Sequence, residues 1–255
     1  MRLRAWLSYG IRKGLRYRVN TLSWFLADIA LYSSISLMYV LLSSAFGSFG
    51  SYSRMELGLY ISTYFVINNL FAICFSEAVS EYGQAILRGD FSYYQLTPVG
   101  ALRSLILLNF NFPAALSTPF LLGANIYFLA ALSPSPWQIV LYYLGIVFAV
   151  AVMLFLFQAI SALLLFGIRS GAVSASVTQL FSIAEKPDTA FHPAVRKVFT
   201  FIVPAFLFSA IPAGILLGTS SPLQTAYLLL CPILLFVIFR LLERFGARKY
   251  TQSGG

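Results

Sequence analysis

The sequence predicts an all-α polytopic membrane protein, and its composition and apolar runs carry that prediction. Of the 255 residues, 59% are apolar and only 10% are charged, whereas a soluble domain carries about 25% charged residues. The mean hydropathy is +0.83. Long apolar runs recur along the chain, and a helical run of about 20 residues crosses the hydrocarbon core of a bilayer. This composition excludes a soluble enzyme, a disulfide-stapled secreted module and a disordered chain.

Residues 1–20 predict an amphipathic helix at the membrane surface. Their apolar side chains recur every four positions, at Leu3, Leu7, Ile11 and Leu15. The segment holds no acid, so its cations are free to attract anionic lipid. The basic residues assigned to this role are Arg12, Lys13, Arg16 and Arg18. Because basic residues beside apolar spans mark the cytoplasmic side, this segment and the tail at 243–255 predict that both termini are cytoplasmic.

A transmembrane domain of six spans is predicted between residues 21 and 242. Five of the spans follow from apolar runs, at 21–46, 57–79, 104–132, 137–168 and 223–242. Pro113 and Pro119 lie in the third run, where we expect a kink or a break because proline removes an intrahelical hydrogen bond. Asp28 is the only acid well inside a span. We expect it to pair with an arginine of the N-terminal helix or with a Ser or Asn side chain of a neighbouring span.

The segment between residues 171 and 218 allows two arrangements. In the first, 171–184 is the fifth span and 190–218 forms short re-entrant helices that dip into the outer leaflet. In the second, 171–184 stays on the cytoplasmic side and 198–218 is the span. The positive-inside rule favours the second arrangement, in which the Arg196-Lys197 pair is cytoplasmic. The residues that characterise the re-entrant segment are Pro193, Arg196, Pro204 and Pro212.

The sequence carries no motif for catalysis or nucleotide binding. It has no G-x-x-x-x-G-K-[ST] loop, no G-x-S-x-G and no H-E-x-x-H. Its one histidine is His192, and Cys74 and Cys231 both lie within apolar runs. We therefore expect no enzyme activity, no metal and no cofactor on this chain. A transporter subunit, a secondary carrier or small channel without an ATPase, and a structural membrane subunit all fit such a composition.

Three stretches of the sequence resemble the ABC-2 type permeases, the membrane-spanning subunits of one class of ABC transporter. With h for a hydrophobic residue, residues 80–98 (SEYGQAILRGDFSYYQLTP) are similar to the family's connection after its second span, I-x-x-G-x-h-D-x-x-L-x-x-P. Residues 191–218, from FHPAVRKVFTFIVP to AIPAGILLG, resemble F-P-x-x-h-R-x-h-h-x-h-h-h-P…P-A-x-x-L-L-G. The ending at 245–255, FGARKYTQSGG, resembles h-x-x-G-h-x-x-Y-x-S-x-G.

The resemblance implies that this chain is half of an export pathway in a cell membrane, such as the inner membrane of a bacterium. A second permease, identical or related, would complete the pathway, and two ATPase subunits would bind ATP and Mg²⁺. The connection at 80–103 would be a coupling helix that enters a groove of the ATPase through exposed charges and aromatic anchors. The residues assigned to that contact are Glu81, Gln84, Arg88, Asp90, Phe91, Tyr94, Leu96 and Pro98. The resemblance also favours the first arrangement of residues 171–218, with re-entrant helices on the outer side.

Overall fold

The computed structural model describes residues 11–12, 14–46, 51–97 and 101–249. Within these ranges the regular structure is helical, which confirms the predicted fold class. The helices are α1 Arg18–Phe46, α2 Arg54–Phe71, α3 Glu77–Arg88, α4 Phe91–Gln95, α5 Ala101–Leu108, α6 Phe112–Leu132, α7 Pro136–Ala162, α8 Ser170–Glu185, α9 Pro193–Phe201, α10 Ala210–Leu217 and α11 Pro222–Lys249. A π turn lies at Ala72–Ser76, and 3₁₀ turns lie at Leu163–Phe166, Asp188–Ala190 and Ala205–Phe208.

Five helices of the described chain are long and apolar enough to cross a membrane. They are Arg18–Ser44, Arg54–Arg88, Phe112–Leu132, Pro136–Phe166 and Pro222–Lys249. Each overlaps one of the five apolar runs of the sequence, so the polytopic membrane architecture is confirmed. Helix α8, with 16 residues, is shorter than these five.

The third span begins later than the sequence predicted. The helix is interrupted at 109–111, and α6 begins at Phe112. The Asn111 side chain caps α6 by accepting a hydrogen bond from the Ala114 backbone N–H at 3.1 Å. Pro113 therefore stands in the first turn of a helix, where proline is tolerated, and Pro119 lies inside the helix. The break expected in this region is a new helix start.

Helices α2 and α3 form one continuous helix, Arg54–Arg88, through the π turn Ala72–Ser76. It opens with a reciprocal cap between Ser53 and Glu56. It ends at Gly89, whose φ of 86° is the left-handed conformation that glycine adopts without steric cost. Within an apolar stretch of 18 residues in this helix 67% of the residues are buried, against 6% in the corresponding stretch of α1. The Arg54–Arg88 helix is thus the centre of the bundle, and α1 lies at its edge.

Contacts between distant residues define two ends of the bundle. At the coupling end, which carries residues 80–97, Val173 of α8 shares a buried cluster with Tyr82 and Phe239. At the distal end, which carries residues 51–53 and 184–190, the Tyr60 hydroxyl donates to the Ala184 carbonyl at 2.9 Å. Helix α8 therefore runs from the coupling end to the distal end, about 24 Å at 1.5 Å per residue.

The segment after α8 forms short helices instead of a single span. At 1.5 Å per residue α9 and α10 measure about 14 and 12 Å, well under the hydrocarbon thickness of about 30 Å. Pro193 opens α9, and Pro204 lies between α9 and the 3₁₀ turn that follows. Pro212 lies in the first turn of α10, where it removes no intrahelical hydrogen bond. Residues 193–217 are thus divided among short helices, and neither α9 nor α10 is long enough to cross the hydrocarbon core by itself.

Candidate functional site

The coupling stretch, residues 80–97, forms a tight helical corner. After the left-handed Gly89, α4 turns away from the axis of α3. The Thr97 hydroxyl then donates to the Tyr94 carbonyl at 2.7 Å and accepts from the Ser104 hydroxyl at 2.8 Å. These side-chain bonds hold the exit of the corner against the start of α5.

Most residues predicted to contact an ATPase lie on the outer surface of this corner. Gln84, Arg88, Asp90 and Leu96 are exposed, while Glu81 and Tyr94 are half-buried. The Arg88 guanidinium lies 3.9 Å from the Glu81 carboxylate, and both side chains face solvent. Such an exposed pair contributes under about 1 kcal/mol to stability, so its loss would cost the fold little. Pro98 lies outside the described residues.

Phe91 is the exception, because its side chain is fully buried. Its ring meets the Tyr82 ring edge-on at a centroid distance of 5.4 Å, and Tyr82 meets Phe239 of α11 at 5.9 Å. The predicted contact with a partner is thus replaced by an internal one that fixes α4 to α3 and α11. Tyr93, 73% exposed, is the aromatic residue that the corner presents outward.

A buried carboxylate supports the end of α11 beneath the corner. Glu243 pairs with Arg240 on its own helix and accepts a hydrogen bond from the Tyr82 hydroxyl at 3.4 Å. Nearby, a Cβ placed on Gly246 would lie 2.6 Å from the Leu165 Cβ, so the two backbones pack closely. A single acid within a basic tail was the only signal in the sequence for this contact.

At the distal end Asp188 lies in a buried ion pair. Its side chain is 2% exposed and pairs with Arg196, whose side chain is 39% exposed. The Tyr52 hydroxyl donates to the same carboxylate at 2.9 Å. Burial and the neighbouring Asp188 carboxylate raise the pKa of the Tyr52 phenol, which therefore stays a neutral donor. Arg196 of the predicted re-entrant segment is thus a neutralised cation that joins α9 to the 3₁₀ turn Asp188–Ala190.

The Tyr60 hydroxyl connects α2 to the segment that follows α8. It lies 2.7 Å from the Lys186 carbonyl and 2.9 Å from the Ser209 hydroxyl. Ser209 in turn donates to the Ala184 carbonyl at 2.6 Å. The two hydroxyls, each with one proton to donate, thus lie within reach of carbonyls that the end of α8 leaves without helical partners.

Side-chain hydrogen bonds also join the spans at membrane depth. Asp28 of α1 accepts from the Ser117 hydroxyl of α6 at 3.3 Å, which is the serine alternative expected from the sequence. The Asn125 amide of α6 donates to the Ser62 hydroxyl at 3.1 Å and to the Tyr142 hydroxyl at 2.7 Å. Polar side chains that bond across helices are a common device of membrane bundles.

The basic N-terminal residues occupy two different elements. Arg12 and Arg16 are exposed on the helical residues that precede the turn at Tyr17. Arg18 instead begins α1, and its Nε donates to the Leu15 carbonyl at 3.2 Å. Lys13 lies outside the described residues.

Comparison with known protein families identifies a match that covers most of the chain. A family model described as an ABC-2 family transporter protein matches residues 29–254. Neither the curated proteins nor the solved structures give a match. The matched range contains α2 to α11 complete, together with most of α1.

Proposed function

We propose a function on the basis that the chain belongs to the ABC-2 family of transporter proteins. As a member it is a membrane-embedded permease subunit of an ABC transporter. In the proposal, it forms half of an export pathway, and a second permease, identical or related, forms the other half. Two ATPase subunits bind ATP and Mg²⁺ and drive the cycle.

The observation that carries this proposal is the construction of the coupling stretch. Its inner side is anchored by Phe91 against Tyr82 and Phe239. Its outer side presents Arg88 and Tyr93, residue types that dominate the energy of protein interfaces. A rigid corner with an exposed charged and aromatic surface is suited to receive force from a partner and pass it to the central helix.

In this proposal the coupling end faces the cytoplasm and the distal end faces the outside. Exposed Arg12 and Arg16 near the start of α1, and the basic residues Arg244 and Arg248 near the end of α11, support that orientation. The charge of Arg196 at the distal end is compensated by Asp188, so it contributes little to the charge difference between the two ends. Closure of the ATPases would then displace the coupling stretch and expose the pathway alternately to either side.

Purification of the full chain from its own membranes tests the proposal. We expect an ATP-hydrolysing subunit to copurify, and we expect Arg88→Ala and Tyr94→Ala each to reduce the copurified hydrolysis while the chain stays in the membrane. Arg54→Ala is the matched control for Arg88→Ala, because it removes another exposed arginine, at the distal end. Variants that copurify an ATPase like the wild type would refute the coupling role. Transport that continues without ATP would identify a secondary carrier instead.

A further inference from the structure

A cavity of about 660 Å³ lies near the coupling end, between α1, the π turn Ala72–Ser76 and the start of α6. Its volume falls within the range of about 300–1,000 Å³ that is typical of sites for small molecules. Its wall includes both polar and aromatic side chains, among them Trp24, Asp28, Tyr32, Asn68, Asn111 and Phe112. The cavity is distinct from the outer surface of the coupling stretch.

Two acids line this cavity, Glu77 at the start of α3 and Asp28 of α1. Asp28 lies within the apolar helix α1. Its hydrogen bond from the Ser117 hydroxyl, at 3.3 Å, brings no positive charge. Of the residues that the structure describes, no lysine or arginine lines the cavity, and none forms an ion pair with Asp28. A carboxylate within a span is costly unless a cation compensates it, and such residues commonly mark the path of a substrate or ion.

The aromatic residues of the wall add a second attraction for positive charge. Trp24 is exposed, and the half-buried Tyr32 and Phe112 also line the cavity. The faces of aromatic rings attract cations through their quadrupole, most strongly at desolvated sites. Their apolar area also favours the hydrocarbon part of an amphipathic molecule.

We propose that this cavity binds the cationic centre of an amphipathic organic compound, with Asp28 as the counter-charge and the aromatic residues around its apolar groups. The inference rests on the proposed function and deepens it, because it assigns a chemical class to the exported substrate. Entry would occur from the coupling end, where the cavity is lined by residues at the start of α1 and of α6.

The test compares two probes of nearly the same shape and opposite charge, tetraphenylphosphonium and tetraphenylborate. Binding to the purified full chain is measured by titration calorimetry in an uncharged detergent. We expect the wild type to bind the phosphonium more tightly than the borate. Asp28→Asn should weaken phosphonium binding about tenfold or more, since a partly desolvated charge pair is lost. Phosphonium bound equally well by Asp28→Asn, or borate bound as tightly as phosphonium by the wild type, would overturn the proposal.

Two further variants separate charge from folding. Asp28→Glu retains the carboxylate and should keep most of the affinity. Glu56→Gln removes a carboxylate at the distal end while preserving the reciprocal cap, because glutamine also fills that position, and it should bind phosphonium like the wild type. If Asp28→Glu loses as much affinity as Asp28→Asn, the charge is not what the cavity recognises and the proposal fails.

The cationic centre could belong to a free compound or to a lipid headgroup. Adding phosphatidylcholine to the detergent distinguishes these sources. If the lipid competes with the phosphonium, the site binds a lipid headgroup, and if the lipid does not compete, the site binds a free cation. Either result supports a cation site. The binding measurement is made without ATP, so it does not depend on ATP hydrolysis by a partner. A failure to detect phosphonium binding would therefore not contradict the proposal of an ATP-driven permease. Conversely, a failure of the copurification test would not contradict cation binding by the cavity.

Discussion

The phenol of Tyr52 donates a hydrogen bond of 2.9 Å to the carboxylate of Asp188, although 136 residues separate them in the chain. Arg196 binds the same carboxylate from α9. Three segments that are remote in sequence are thus held together at the distal end by a single buried anion.

Removing either partner of Asp188 should destabilise the protein. Tyr52→Phe should lower the free energy of unfolding by about 1.5–3 kcal/mol, because a hydrogen bond to a charged group is lost. Arg196→Ala should cost about 3 kcal/mol, near the lower limit for a broken buried ion pair because Arg196 itself reaches solvent. Thermal unfolding in detergent measures both. Arg54→Ala, an exposed arginine at the same end, should change stability by less than about 0.5 kcal/mol. Equal losses in all three variants would contradict a specific role for Asp188.

Phe91 and Tyr93 should separate stability from partner binding in the coupling stretch. Phe91→Ala removes a fully buried ring and should destabilise the chain by about 3–5 kcal/mol. Tyr93→Ala removes an exposed ring and should change stability by less than about 0.5 kcal/mol, while it lowers the amount of copurified ATPase. The two readouts are unfolding temperature and copurification. A Tyr93→Ala protein that binds the ATPase normally would show that the exposed ring plays no part.

Gly246 should tolerate no side chain, unlike Gly123. A Cβ at Gly246 would lie 2.6 Å from the Leu165 Cβ, so Gly246→Ala should destabilise by about 1–3 kcal/mol through overpacking. A Cβ at Gly123 meets no described atom within 4 Å, and alanine there should be neutral or stabilising by about 0.4–1 kcal/mol. Unfolding measurements on the two variants give the comparison. If Gly246→Ala proves as stable as Gly123→Ala, the close contact between α11 and the 3₁₀ turn Leu163–Phe166 is wrong.

Single cysteines should report which side of the membrane each end faces. In a chain with Cys74 and Cys231 replaced, His192→Cys places a thiol on the exposed start of the re-entrant segment, and Gln84→Cys places one on the coupling stretch. A membrane-impermeant maleimide applied to intact cells should label residue 192 but not 84. Asp188 is a poor site for this purpose because its buried ion pair would be lost. Labelling of residue 84 alone would reverse the proposed orientation.

The spans were predictable because a long apolar run has few structures open to it in lipid. The sequence placed α7 at 137–168, and the structure has helix from Pro136 through the 3₁₀ turn that ends at Phe166. The same reasoning missed the break at 109–111, because the apolar composition continues through it. Asn111 followed two positions later by Pro113 is a helix-start signal, which the search for long runs overlooked.

The candidate site was less predictable, because it depends on contacts between remote residues. The position of Phe91 within a charged connection suggested exposure, but its burial is decided by Tyr82 and by Phe239, which lies 148 positions further along the chain. In the same way, Arg196 counted as a free cation in the sequence, while the fold pairs it with Asp188. Local patterns carry no information about such partners.

The length of the helix Arg54–Arg88 has a consequence for how the coupling stretch is connected to the Asp28 cavity. Its 35 residues extend about 52 Å at 1.5 Å per residue, roughly 20 Å more than the hydrocarbon core of a bilayer. The helix is therefore long enough to cross the hydrocarbon core and to extend beyond it. Part of the way along, at the π turn Ala72–Ser76, its regular hydrogen-bond pattern is interrupted. Arg88, at one end of this helix, belongs to the coupling stretch, and Asn68 and Ala72 further along the helix line the Asp28 cavity. One continuous helix therefore connects the surface proposed to contact an ATPase with the wall of the cavity proposed to bind a cation.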